Sequence, residues 1–114
     1  MKYFTYHQNN SGGSFDYDDK IGITTNVIIE AKSADEANQI AEKIGIYWNG
    51  MEDGSDCECC GDRWHPQSGK GDDVPSVYGM PVQFLTIKNE LHKWQKGPEC
   101  FVHYANGRVT GYYK

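Results

Sequence analysis

The chain predicts an α+β fold: a small antiparallel sheet with one capped helix packed on it, a C-terminal β-hairpin and a long Cys-containing loop. Three observations carry this. Residues 24–31 (Thr-Thr-Asn-Val-Ile-Ile-Glu-Ala) combine β-branched residues with a continuous apolar patch suited to a strand in the middle of the sheet. Ser33-Ala34-Asp35-Glu36 follows at once as a capping box, in which the serine hydroxyl accepts from the amide of residue 36 and the glutamate returns the bond. Asn106-Gly107, a strong turn signal, lies between two β-rich runs, 99–104 and 108–113. At 114 residues the chain is one domain spanning 1–114, large enough for a core but a thin one.

The elements follow in chain order. Residues 2–7 alternate and are rich in aromatic and β-branched types, which predicts a strand. Asn9-Asn10-Ser11-Gly12-Gly13-Ser14 then breaks it, as a plain loop or as one whose Asn10 and Ser11 meet a ligand; no Walker-type Gly-Lys-Ser/Thr follows. Asp16, Asp18 and Asp19 lack the glycine and distal glutamate of a calcium loop and read as a solvated face. A helix is expected from Ala34, with Ala37, Ile40, Ala41 and Ile44 on its buried stripe and Glu36, Asn38, Gln39, Glu42 and Lys43 facing water. Gly45 supplies the left-handed residue that ends it, and Ile46-Tyr47-Trp48 leaves as a short extended piece. Residues 49–75 are almost devoid of aliphatic side chains, and so long an irregular segment needs something to pin it. Residues 81–91 fit an extended start that turns helical.

Composition narrows the function classes. Aromatics make up 13% of the chain, with eight tyrosines, so rings with a polar edge supply much of the packing. The formal charge is −5; residues 1–87 carry fourteen carboxylates against six Lys/Arg, whereas residues 88–114 carry two against five. Nucleic-acid binding needs a dense basic stripe, and this distribution lacks one. No apolar run approaches the length of a membrane span and the N-terminus lacks a signal-peptide core, which predicts a cytosolic protein.

The richest stretch is Asp56-Cys57-Glu58-Cys59-Cys60-Gly61-Asp62-Arg63-Trp64-His65-Pro66, with three of the four cysteines. Cys57-x-x-Cys60-Gly61 has the form of a zinc knuckle: two thiolates flank a tight turn that a glycine closes. Tetrahedral zinc needs four ligands, and Cys59, His65, Cys100 and His103 are the candidates for the rest. Cys100 and His103 fall three apart on a predicted strand, so they point to opposite faces and only one could join. The competing readings are a small buried thiol cluster or simple exposed thiols, and a redox pair. A redox pair is opposed by Asp56, Glu58 and Asp62, whose charges disfavour a thiolate, and the His-x-Glu element of a zinc deaminase is missing. Arg63 and Trp64 could form a stacking platform with Tyr47, Trp48 and Tyr78 as neighbours, although a tryptophan after a knuckle more often packs against the domain.

Across Gln8–Phe15, Ala37-Asn38 with Gly45-Ile46-Tyr47, and Asp56–Trp64, the chain resembles a family of small tailed-bacteriophage proteins with a Cys-x-Cys-Cys-Gly-Asp-Arg-Trp motif. The resemblance covers most of residues 1–80 and implies a source and a setting rather than an activity: an accessory factor made in the cytoplasm of an infected bacterium. Three functions are expected in order. The first is a non-enzymatic, zinc-stabilised binding module acting on a host or defence protein. The second is a sponge for a small signalling nucleotide, with a pocket built by aromatics and the 9–14 loop, within one chain or between subunits of a homo-oligomer. The third is a metal- or thiol-dependent enzyme.

Overall fold

A computed structural model describes residues 1–9, 15–54, 61–85 and 98–113. Among these, β1 (Lys2–His7), β2 (Asn26–Ala31), β5 (Cys100–His103) and β6 (Val109–Tyr112) form a four-stranded sheet in the order β1-β2-β5-β6. Between β2 and β5 come α1 (Ala34–Lys43), the short α2 (Gly50–Asp53), and a two-stranded ribbon of β3 (Ser76–Val77) and β4 (Met80–Pro81) that leads into a 3₁₀ turn at Val82–Phe84. The extended start turning helical at residue 81 is therefore present as far as Leu85; residues 86–91 lie outside the described residues.

The sheet is mixed rather than wholly antiparallel. β1 pairs antiparallel with β2, and β5 with β6 through the turn at Tyr104–Gly107, but β2 and β5 run parallel, Val27 opposite Phe101 and Ile29 opposite His103. A hairpin signal fixes how its own two strands pair and carries no information about the direction in which the pair joins a third. That direction is set by polar side chains at the start of β2. Thr24 Oγ1 donates to Pro98 O (2.7 Å) and Asn26 Nδ2 to Glu99 O (3.1 Å). They hold the chain entering β5 against the chain entering β2, so both strands start from the same end, and the intervening residues make the long crossover that parallel neighbours require.

Both faces of β2 are covered, as its unbroken Val27-Ile28-Ile29 run requires. On one face α1 packs over Phe4, Tyr6, Val27, Ile29 and Ala31, and Trp64 joins this layer. The helix contacts the sheet through the small Ala34, Ala37 and Ala41, which lets its backbone approach closely, with Ile40 and Ile44 half-buried at its flanks. On the other face Ile28, Cys100 and Val102 lie under Val77 and Val82 of the ribbon segment, with Tyr3, Tyr104 and Tyr112 at the margin.

The caps of α1 follow the sequence with one displacement. Ser33 Oγ accepts from Glu36 N (3.2 Å), but Glu36 Oε1 accepts from the amide of Lys32 (3.1 Å), one residue before the cap. At the other end Ile46 N donates to Ala41 O and Gly45 N to Glu42 O, a Schellman closure that needs the positive φ of Gly45 (+105°). Asn38 does not face water. It accepts from Tyr6 Oη (2.6 Å) and Gln67 N (2.9 Å) and donates to Gln67 O (3.0 Å), so it fastens the return of the long loop to the helix. Within residues 49–75, a helical turn at Gly50–Asp53 sits between Asn49 and Gly54, both left-handed, and among the described residues the next strand is β3 at Ser76.

Candidate functional site

One end of the sheet gathers Gln8, Asn9, Asp16 and Arg63. Gln8 continues the alternation of Phe4 and Tyr6, so its amide points into the helix-side layer, where it is buried. Its Nε2 donates to Thr24 O and to Asp16 O (both 3.0 Å), and its Oε1 accepts from Asp16 N (2.5 Å) and from Arg63 Nη1 (2.8 Å). One side chain therefore ties the end of β1, the far side of the 10–14 segment, the approach to β2 and the residue after the cysteine motif. Asn9 adds two bonds to the same segment: its amide donates to Arg63 O (2.7 Å) and its Nδ2 to Asp62 O (3.3 Å).

This latch changes the reading of Arg63 and Trp64. Arg63 is 7% exposed, with its guanidinium held between Gln8 and Asp16 (Nε to Oδ2, 3.4 Å), and Trp64 is 2% exposed within the core beneath α1. Neither offers a face for stacking; of the roles weighed for Trp64, packing is the one its position gives. Trp48 and Tyr47 are half-buried against the same layer, Trp48 stacked on Tyr6 (centroids 5.9 Å apart) with its Nε1 donating to Glu42 Oε1 (2.6 Å). Tyr78 lies on the opposite face of the sheet, stacked on His7 (5.0 Å) at the corner of the β3–β4 turn. Its φ of +51° and that of Gly79, +80°, are what a two-residue turn of this hand demands, but Tyr-Gly is not the dipeptide that announces one.

Of the proposed zinc ligands, Cys57, Cys59 and Cys60 lie outside the described residues, as do Asn10 and Ser11 of the glycine-rich loop. Their described flanks are adjacent: Asn9 precedes one segment, and Gly61–Arg63, bonded to Asn9, follow the other. His65 is exposed two residues further on. Cys100 and His103 occupy opposite faces of β5, as their spacing implies. Cys100 is buried among Ile28, Val77, Val82 and Val102, and burial, with a smaller contribution from the charge of Glu99, pushes its thiol up to about 12. His103 is buried on the helix side, where its Nε2 donates to Gly22 O (2.9 Å). Burial pushes its pKa down, partly offset by that hydrogen bond. Among the described residues no group of three or more His, Cys, Asp or Glu comes together to hold a metal.

Beside the latch lies a cleft of about 300 Å³ that no motif foretold. Its walls are Ile21 and Ile23 from the approach to β2, Ile44 to Ile46 from the C-terminal end of α1, and Trp64 at the base; Asp16, Tyr17 and Asp18 complete the rim. Asp16 and Asp18, which the sequence suggested were merely solvated, thus line this cleft beside the isoleucines. The wall is firm because residues 18–23 close on themselves. Asp18 and Ile23 exchange both backbone hydrogen bonds (2.9 Å each), and Asp18 Oδ1 accepts from Lys20 N (3.1 Å). A signal for Gln8 was available in the parity of the strand; the cleft depends on loops that only tertiary contacts position.

The fold and the latched end define a small α+β domain whose irregular segments are fastened to one end of a mixed sheet. The chain belongs to the family described as domain of unknown function DUF7296, which matches residues 1–114. Neither a curated protein nor a solved structure matches it. No helix among the described residues is long and apolar enough to cross a membrane.

Proposed function

We propose that this protein is a non-enzymatic binding module that engages a host or defence protein in the cytoplasm of a phage-infected bacterium. The observation that carries the reading is the latch. Gln8, Asn9, Asp16 and Arg63 bring the flanks of the glycine-rich and cysteine-containing segments to one end of the sheet, beside the cleft, where a partner would meet all three together. In this reading zinc at Cys57 and Cys60 orders the cysteine segment, with Cys59 and His65 as the two remaining candidates for its four ligands. Cys100 is not offered as a ligand, because it is buried in the apolar layer on the far face, and His103 is already committed to Gly22.

A nucleotide in this cleft would bring its phosphates against Asp16 and Asp18, so the sponge alternative rests on a pocket at the 9–14 loop instead. Cys100, with its pKa at about 12, is not a nucleophile near neutral pH, so the thiol-dependent alternative rests on Cys57 and Cys60, which lie outside the described residues. Metal analysis of purified protein, followed by capture from a bacterial host with wild-type chain and with Cys57→Ser/Cys60→Ser, tests the proposal. About one zinc per chain and a specific protein retained by wild type but lost with the metal are expected. A metal-free chain that retains the same partner would remove zinc from the reading, and no specific partner at all would overturn it.

A further inference from the structure

We propose, building on the binding-module reading above, that the cleft beside Trp64 is a receptor for an organic cation on an apolar stem: a guanidinium or ammonium group carried by an Arg or Lys side chain or by a free alkylamine. The volume of about 300 Å³ lies at the lower end of small-ligand sites, which suits one side chain. The walls are chemically divided. Ile21, Ile23 and Ile44 offer apolar side chains for a stem, whereas Asp16 and Asp18 supply the carboxylates for a charged head.

The two carboxylates are not equivalent. Asp16 is partly neutralised by Arg63, whose Nε lies 3.4 Å from its Oδ2. Asp18 accepts one backbone amide, that of Lys20, and a carboxylate has about four acceptor sites, so capacity remains for a cationic donor. The C-terminal end of α1 also lines the cleft at Ile44 and Gly45, and the negative end of the helix dipole favours positive charge there. Arg63 itself is buried behind the rim with its guanidinium turned toward Gln8, so the charge presented outward is negative.

The experiment is a nuclear magnetic resonance titration of the full chain, following the methyl groups of Ile21, Ile23 and Ile44 and the indole N–H of Trp64. The probes are n-butylguanidinium, n-butylammonium, butyrate and a capped Ala-Ala-Arg-Ala-Ala peptide. The cations should shift the cleft signals with dissociation constants on the order of 1–10 mM, as expected for fragments of this size, and butyrate should not. Asp18→Asn keeps an acceptor for the amide of Lys20 and should weaken cation binding about two- to fivefold, the range for a partly exposed ion pair. Ile21→Ser, at an exposed position, should weaken it without unfolding the chain. Peptide binding at least as tight as the free guanidinium assigns the cation to a protein side chain, and binding of the free cations alone assigns it to a small amine. Shifts confined to other surfaces, equal binding of butyrate, or an unaltered response in both variants would overturn the proposal. If a host protein is captured equally well by Asp18→Asn, the binding-module reading stands and the cleft is not its contact. Cation binding with no captured protein leaves the cleft assigned and removes the module reading.

Discussion

Replacing Gln8 by methionine tests the latch with little change in volume. Methionine fills nearly the same space but can make none of the four hydrogen bonds that Gln8 makes to Thr24, Asp16 and Arg63. A neutral hydrogen bond contributes about 0.5–1.5 kcal/mol net and one to a charged group about 1.5–3 kcal/mol. The two bonds to Asp16 are partly exposed, so water replaces some of their value, whereas those to Thr24 O and Arg63 Nη1 are buried. The expected loss is about 3–4 kcal/mol. At about 4 °C per kcal/mol for a domain of this size, the melting temperature should fall by about 12–16 °C. Urea unfolding gives the free energy, and amide exchange at Asn9 and Asp16 reports the local opening. Because Gln8→Met removes one of the partners of the buried Arg63 guanidinium, Arg63→Met added to Gln8→Met should be less damaging than the two singles summed, with a coupling of about 1–2 kcal/mol. A loss below about 1 kcal/mol, or strictly additive singles, would refute the view that Gln8 is the tie between these segments.

Three further outcomes follow from the same coordinates. His103 has a pKa held below the ordinary value of about 6.5, so the unfolded chain binds its proton first; stability should be full above that pH, fall as pH drops through it, and level off below the folded value. Urea midpoints between pH 5 and 8 should therefore slope less in His103→Gln than in wild type. Gly22→Ala should cost about 2–4 kcal/mol in urea unfolding, since a Cβ there would lie 2.7 Å from His103 Nε2 and 2.8 Å from Val109 Cγ1 on a backbone with φ +79°. Iodoacetamide at pH 8 should leave Cys100 unmodified in the native chain and label it in urea, as mass spectrometry of its peptide would record, because its thiol is buried and its pKa is about 12.

How much of this was legible in the sequence depends on the range of the interaction concerned. β1, the start and stop of α1 and the β5–β6 hairpin rest on local chemistry, and each stands where its residues put it. The parallel joint of β2 to β5 does not, because Thr24 and Asn26 act on carbonyls more than seventy residues away. Asn38 looked like a surface residue of the helix since its partners, Tyr6 and Gln67, come from other segments. Gln8 is intermediate: the alternation Phe4, Tyr6, Gln8 already places it on the core side, and an amide there must find partners, but which ones no local pattern states. Of the site, the clustering of the two loop flanks became visible only in three dimensions, while Cys57, Cys59 and Cys60 lie outside the described residues.

The parallel joint also dictates when this protein can become itself. Val27 meets Phe101, and Thr24 and Asn26 wait for Pro98 and Glu99, so during synthesis the β1–β2 ribbon and its helix are made long before the strand that completes them. Until then one edge of β2 and the apolar side chains Ile28 and Val27 have no strand beside them, which is the situation in which nascent chains recruit chaperones or pair with each other. Closing so distant a contact is slow compared with forming a hairpin. The β5–β6 pair therefore acts as the gatekeeper of solubility for β1, β2 and α1.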